Sequence, residues 1–191
     1  AEGILKRYDE LFKQFGLKKS NILYTTCFMK NADDEDEFAD IYFQWIDPKN
    51  PPAGVTVTAL PIQHSPVGDN ILMELSFIVA TNDSLPIKRY DVTRGCRMVE
   101  YDGMAYFTGH VYPKVDTLGE QVAGVLKRYD ELFEKFGLKK ENVIAANGFI
   151  KNMAHYGEIA VQCLFRGESP GGRDCRSAAA PEYALRPEAG N

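Results

Sequence analysis

The sequence predicts an α+β protein that contains two copies of one structural unit. A segment that starts at Gly3, GILKRYDELFKQFGLKKSNI, returns as GVLKRYDELFEKFGLKKENV from Gly124. Apolar residues recur in this segment at steps of three and four, as in an amphipathic helix, whereas the neighbouring β-rich runs have the length of strands. The spacing between the copies exceeds that of solenoid repeats and matches a small domain, so two homologous units are expected.

The repeated segment predicts a long helix in each copy. In the second copy its apolar positions extend over residues 118–136. Thr117 and Glu120 fit a capping box, in which a hydroxyl and a carboxylate each bind an otherwise unpaired N-terminal amide. Gly137 suits a left-handed C-terminal stop, and the first copy repeats that stop at Gly16. Both helices should therefore end at equivalent glycines.

Strands are expected around these helices. Asp102 and Gly103, which together favour the positive φ angles of a type I′ turn, join CRMVEY to MAYFTG as a hairpin ahead of the second-copy helix. A strand should follow each helix, over 22–29 in the first copy and 143–150 in the second. The first copy continues with two further runs, AGVTVTALP and ILMELSFIVA, and the second of these is typical of a buried sheet centre.

A second helix is expected after the strand that follows each long helix. Its apolar stripe comprises Phe38, Ile41, Tyr42 and Trp45 in the first copy and Tyr156, Ile159, Ala160 and Cys163 in the second. We interpret both stripes as faces that pack into the core. The first copy also carries an acidic run over 33–37, which is typical of a solvated loop or a helix start.

Neither copy contains all of these elements. The first copy has no hairpin ahead of its helix, and the second has no counterpart of ILMELSFIVA. We therefore predict a first unit over 1–85 without its N-terminal hairpin, a second unit over 86–165, and a Gly-, Pro- and Ala-rich tail over 166–191 that forms a loop or is disordered. A sheet without its outer strand exposes unpaired backbone groups. The other copy, another chain or residues lost by truncation must cover those edges.

Composition and charge argue against several classes of protein. With 45% hydrophobic residues the chain can build a large core, and its net charge of -5 argues against nucleic acid as a partner. No apolar run approaches the ~20 residues that cross a bilayer, which predicts a cytoplasmic protein without a membrane partner. The cysteines form no CxxC pair and do not cluster with the histidines, so we expect no metal site and mostly buried, reduced thiols.

The assembled order of elements is hairpin, helix, strand, helix, strand and strand. In this order GMAYFTGHVYP, EKFGLKKENVIAANGFIKNMAHYGEI, NPPAGVTVTALP and ILMELSFIVA resemble the YjgF or Rid family, the reactive intermediate deaminases that are also called endoribonuclease L-PSP. The resemblance implies a chorismate-mutase-like α+β fold and a homotrimer with clefts between its subunits. It also implies hydrolysis of small enamines or imines, such as 2-aminoacrylate, to keto acids without a metal or a cofactor.

The resemblance further implies a substrate site in the tail. The segment from Pro170 to Cys175 resembles the family's carboxylate-binding segment, in which Arg173 would bind the carboxylate of a small metabolite and Cys175 would contribute its backbone. A guanidinium suits this role because its planar set of N–H donors binds a carboxylate through two hydrogen bonds. The matching position in the first copy is Gly54, which has no side chain that could bind a carboxylate. The alternative interpretation of Arg173 is an exposed arginine in a flexible tail.

Three further residues belong to the site that the resemblance implies. Glu74, in the last strand of the first copy, stands where the family has a glutamate that positions the attacking water, and a carboxylate can act there as a general base. Tyr90 and Thr108 resemble residues that line the family's pocket. The alternatives are a solvent-facing strand glutamate, a surface or packing tyrosine and a packing threonine. A complete site would need Arg173 of one copy and Glu74 of the other.

Departures from the family pattern keep other functions open. Where many deaminases of the family have an asparagine on the second helix, the two copies have Tyr42 and Ala160. The leading hypothesis is hydrolysis of an enamine or imine in a cleft between subunits. A second hypothesis is a noncatalytic member that binds a metabolite or serves as an assembly partner. A third is an endoribonuclease, which the acidic net charge and the lack of a basic stripe disfavour.

Overall fold

In the computed structural model, which describes residues 1–58, 71–93, 96–111 and 115–151, the protein has an α+β fold. The chain divides into two compact units, Ala1–His110 and Val111–Asn191. The described helices are α1 (Glu2–Phe15), α2 (Glu35–Trp45) and α3 (Leu118–Phe136), and the described strands are β1 (Ile22–Met29), β2 (Ala53–Thr58), β3 (Met73–Val79), β4 (Lys88–Thr93), β5 (Cys96–Tyr101) and β6 (Met104–Phe107). None of these helices has the length and apolar character that a bilayer crossing requires.

The first sheet forms the centre of the unit Ala1–His110. Its strand order is β2-β1-β3, with β1 parallel to β2 and antiparallel to β3. Helices α1 and α2 pack on one face of this sheet, and the buried cluster there comprises Leu5, Cys27, Met29, Phe38, Tyr42, Ile46 and Leu75. Burial of a large apolar side chain contributes about 1.5–3 kcal/mol, so this layer is a major source of the unit's stability.

Among the strands that the structure describes, the run ILMELSFIVA is an outer strand of the first sheet, which differs from its predicted place at the sheet centre. Within β3, buried Leu75 alternates with exposed Glu74 and Ser76. Such alternation belongs to a strand with one face on the core and the other towards solvent. The central strand is β1, in which Ile22 and Leu23 are almost completely buried.

The second sheet is an antiparallel meander with the order β4-β5-β6. The predicted hairpin between β5 and β6 is confirmed, because Asp102 and Gly103 have φ angles of 49° and 74°. A buried cluster joins the two sheets, and it comprises Leu23, Ala53, Ala80 and Val99. The hairpin that precedes the second-copy helix therefore packs on the first copy.

The boundary between the compact units, after His110, does not coincide with the predicted boundary at residue 85. The predicted boundary follows the sequence repeat, whereas the observed one follows the packing of β5 on β1 and β2. The sequence repeat still predicts two homologous units, over 1–85 and 86–165, and this stays a prediction. Strand β4 is an addition that the sequence patterns did not predict, and it pairs with β5 so that Lys88 lies opposite Glu100.

The helix ends are confirmed in both copies. Gly16 and Gly137 each follow their helix with a φ of 65°. At the start of α3 the hydroxyl of Thr117 accepts a hydrogen bond from the amide of Glu120 at 3.3 Å and donates one to the Glu120 carboxylate at 2.6 Å. The acidic run over 33–37 forms a 3₁₀ turn and the first turn of α2, where the helix dipole favours negative charge.

The unit Val111–Asn191 is described as far as residue 151, with α3 followed by a 3₁₀ turn at Lys140–Asn142. Residues 143–150 then have no regular secondary structure, so the predicted strand is wrong. Its first-copy equivalent, β1, has a strand on each side, whereas none of the described strands pairs with 143–150. Isolated strands are not stable in water. The predicted second helix of this copy and the predicted tail lie outside the described residues.

Candidate functional site

Glu74 lies on the face of the first sheet that points away from α1 and α2. Its cross-strand partner on β1 is Phe28, and paired residues share a face of the sheet. Glu74 is exposed, and Phe28 is half-buried. The same face carries Thr26, Phe28, Val55, Val57, Glu74 and Ser76, which we name the open sheet face. A carboxylate in such a place can bind and orient a water molecule.

The phenol of Tyr8 binds the backbone of Leu75, the residue that follows Glu74 in β3. Tyr8, on α1, donates a hydrogen bond of 2.6 Å from its hydroxyl to the backbone carbonyl of Leu75. Burial raises the pKa of Tyr8, and the negative charge of Glu74 raises it further. Tyr8 is therefore a neutral donor that fixes the β3 backbone beside Glu74. The sequence did not single out Tyr8, because a tyrosine within an amphipathic helix has the pattern of a core residue.

Thr108 lies beside β2, at the side of the first sheet opposite to β3. The amide of Gly109, its neighbour, donates to the carbonyl of Gly54 at 3.3 Å. The hydroxyl of Thr108 accepts a hydrogen bond of 3.1 Å from the amide of Arg97 and so extends the pairing of β5 with β6. Because β1 lies between β2 and β3, the backbone at Glu74 is about 10 Å from β2. The structure thus keeps Thr108 and Glu74 apart within one chain.

Tyr90 belongs to a group of polar side chains on the second sheet. Its hydroxyl donates to the carboxylate of Glu100 at 3.1 Å, and Lys88 binds the same carboxylate at 2.8 Å. The hydrogen bond between Lys88 and Glu100 lowers the pKa of Glu100 and raises that of Lys88. Tyr90 and Glu74 lie on different sheets. A role for Tyr90 in a pocket with Glu74 stays a prediction.

Gly54 and Tyr42, where the first copy departs from the family pattern, both serve packing. A Cβ added at Gly54 would lie 2.7 Å from the backbone oxygen of Thr25, a distance that real Cβ atoms do not adopt. An arginine therefore does not fit at this position unless β2 moves. The hydroxyl of Tyr42 is 2.7 Å from that of Thr25, and burial raises the pKa of Tyr42 to about 12. Tyr42 is thus a core residue.

Arg173, Cys175 and Ala160 lie outside the described residues, so the roles predicted for them stay predictions. The described members of the predicted site lie at three separate places. Glu74 is on the edge strand β3, Tyr90 is on the second sheet, and Thr108 follows β6. Within one chain Glu74 is thus separate from Tyr90 and Thr108, and its proximity to Arg173 stays a prediction.

A polar cleft of about 310 Å³ lies at the end of the first sheet that is remote from Glu74. Arg89 on β4 lines it and donates hydrogen bonds to the carbonyls of Ser20, Ile22 and Pro51 at 2.7, 3.2 and 3.2 Å. Because backbone carbonyls engage this guanidinium, Arg89 ties β4 to the start of β1. None of the predicted site residues is among the described residues that line the cleft.

Cys96 and His110 form a pair that the sequence analysis missed. The Sγ atom of Cys96 is 3.7 Å from the Nδ1 atom of His110, although the two residues are 14 positions apart in the sequence. The predicted hairpin was the sequence signal that could have revealed the proximity of Cys96 and His110. Met98 pairs with Phe107, and this register, continued two residues further from the turn, would bring Cys96 opposite Gly109, the neighbour of His110. Within the described ranges no three Cys, His, Asp or Glu side chains come together as a metal site requires.

Comparisons with known proteins reveal no relative of this chain. No family model, no curated protein sequence and no solved structure matches it. The likeness to the YjgF or Rid family therefore depends on the residue patterns of the sequence, and it stays a resemblance.

Proposed function

We propose that this protein hydrolyses small, carboxylate-bearing enamines or imines to keto acids in a cleft between the subunits of a cytoplasmic homo-oligomer. The proposal includes a chorismate-mutase-like unit and a trimer, as the resemblance to the YjgF or Rid family implies. Arg173 binds the carboxylate of the substrate, Cys175 contributes its backbone, and Glu74 positions the attacking water. Tyr90 and Thr108 shape the walls of the cleft.

The place of Glu74 on the open sheet face is the observation that carries this proposal. An exposed carboxylate lies there opposite Phe28, which is half-buried, and Val57 pairs with Phe28 from the other side on β2. Apolar residues around one carboxylate on a sheet face suit a contact with another subunit. A subunit packed there would exclude bulk water, and Glu74 would then lie on the wall of a cleft.

The proposed reaction consumes one water and releases one ammonia. The enamine first tautomerises to an imine, because its terminal carbon gains a proton from solvent and its nitrogen loses one to solvent. Glu74 accepts a proton from water while the water oxygen bonds to the imine carbon, and it returns that proton to the nitrogen. The resulting carbinolamine collapses to the keto acid and ammonia. Arg173 holds the carboxylate throughout and so fixes the imine carbon relative to Glu74.

Replacement of Arg173 by alanine should reduce keto-acid release from 2-aminoacrylate by about ten- to a hundredfold. The reason is that loss of a charge-assisted hydrogen-bond pair costs about 1.5–3 kcal/mol. The substrate is generated in the assay, and pyruvate is measured over time. Arg186→Ala, which removes another arginine of the same tail, is the matched control and should keep the wild-type rate. Equal rates for the wild type and Arg173→Ala would end the proposal.

Gly54 favours a second candidate, a noncatalytic member that binds a metabolite. The position at which the family has its carboxylate-binding arginine has no room for a side chain in the first copy. That copy cannot bind a carboxylate with an arginine at this position, and the protein would then only bind small keto acids. Calorimetry with pyruvate that shows binding, together with an absence of turnover, would favour this candidate, and measurable turnover excludes it.

A further inference from the structure

Cys96 and His110 lie side by side at the open end of the β5–β6 hairpin. Cys96 begins β5, and His110 follows β6. Next to them, the amide of Thr108 donates to the carbonyl of Arg97 at 2.9 Å, and the amide of Arg97 donates to the hydroxyl of Thr108 at 3.1 Å. These hydrogen bonds connect the start of β5 to the segment after β6, next to Cys96 and His110. The Sγ atom of Cys96 is thereby held 3.7 Å from the Nδ1 atom of His110.

This geometry allows a proton to move from the sulfur to the imidazole. With its ring proton on Nε2, His110 accepts a hydrogen bond at Nδ1 from the thiol of Cys96. An imidazole takes up protons near neutral pH, and the thiolate is the nucleophilic form of cysteine. Cys96 is not in a disulfide, and the residue is half-buried rather than enclosed in the core.

Cys27 has the opposite environment in the same unit. Its side chain is 0% exposed within the cluster beneath α1 and α2. Burial, with a smaller effect from the charge of Glu35, raises the pKa of the Cys27 thiol to about 11. Such a thiol stays protonated and inaccessible at neutral pH. The two described cysteines should therefore differ strongly in reactivity.

We propose that Cys96 is a reversible modification site, activated by His110, that forms mixed disulfides with small disulfides. The thiol proton of Cys96 moves to Nδ1 of His110, and the thiolate attacks one sulfur of the reagent. The S–S bond of the reagent breaks, and a new S–S bond joins Cys96 to one half of it. The other half leaves as a thiolate and takes the proton from His110. Cys96 is oxidised and the leaving half is reduced, so the exchange needs no other reactant.

Reaction of the full chain with glutathione disulfide at neutral pH tests this proposal independently of any hydrolytic activity. Peptide mass mapping after timed quenching follows each cysteine separately. Cys96 should react at least about tenfold faster than Cys27, since only its sulfur is both accessible and paired with a base. His110→Gln should slow the reaction of Cys96 about tenfold, whereas the matched variant His64→Gln should leave it unchanged.

Two results would overturn the proposal. One is an equal rate for Cys96 and Cys27, and the other is an unchanged Cys96 rate in a folded His110→Gln protein. Fluorescence of Trp45, which stacks on Phe77 with a centroid distance of 5.5 Å, reports whether the variant is folded. If the His110→Gln variant does not fold, a synthetic peptide of residues 91–101, which contains Cys96 and no histidine, serves as the reference instead. Cys96 of the wild type should then react about tenfold faster than the peptide, and equal rates would refute the activation.

Discussion

Gly54→Ala should lower the free energy of unfolding of the unit Ala1–His110 by about 3 kcal/mol. The added Cβ would lie 2.7 Å from the backbone oxygen of Thr25, which belongs to the central strand β1. Neither backbone can move away easily, because β1 also pairs with β3. Overpacking of this kind typically costs about 1–3 kcal/mol, and a contact with backbone belongs at the upper end. Urea unfolding followed by fluorescence of the single tryptophan, Trp45, measures the effect within this unit.

Gly3→Ala is the matched control for this substitution. Gly3 lies in α1, and a Cβ there would meet no atom within 4 Å. Alanine is the better helix former by about 1 kcal/mol, so Gly3→Ala should raise the stability by up to that amount. The same chemical change thus has opposite signs at the two sites. A Gly54→Ala protein as stable as the wild type would show that β2 does not approach β1 as closely as described.

Glu74→Gln should lower kcat for keto-acid release by about a hundredfold if the proposed function is right. Glutamine keeps the size and a hydrogen-bond acceptor of glutamate but cannot take a proton from water. General base assistance typically contributes about 10²–10⁴-fold to a rate. The stability should change by less than about 0.5 kcal/mol, because Glu74 is exposed. Steady-state kinetics with 2-aminoacrylate, together with urea unfolding of the same sample, separates the two effects.

The control for Glu74→Gln is Glu10→Gln, which changes another exposed glutamate of the same unit, on α1. This variant should keep the wild-type kcat. A loss of activity shared by both variants would point to net charge as the cause. A Glu74→Gln protein within twofold of the wild type would remove Glu74 from the reaction.

Elements with local signals could be predicted from the sequence. The stop of α1 at Gly16 follows from the left-handed conformation that glycine tolerates, and the hairpin at Asp102 follows from the positive φ angles of its turn. Strand β1 was predicted over 22–29 because its β-rich run is bounded by helices on both sides. In each case the residues that determine the element lie within or next to it.

Features that depend on distant partners could not be predicted in the same way. Residues 143–150 repeat the pattern of β1 but form no strand, since a strand also needs neighbours that hydrogen-bond to it. Whether β3 lies at the centre or the edge depends on the order in which strands pair. The hydrogen bond from Tyr8 to the backbone of Leu75 depends on how α1 docks on the sheet. A strand glutamate that faces solvent was only the alternative interpretation of Glu74, because the run around it was expected to be buried at the sheet centre.

The central claim is that Glu74 of one chain and Arg173 of another act in one shared site, and co-assembly of two inactive variants tests it most directly. Chains with Glu74→Gln and chains with Arg173→Ala are co-expressed with different tags, and oligomers that contain both are purified. In a cyclic trimer that contains both variants, one of the three sites receives both intact residues from neighbouring subunits, which is about a third of the sites. Keto-acid release should then recover to about a third of the wild-type rate. Activity that stays at the level of the separate variants would contradict a site shared between chains.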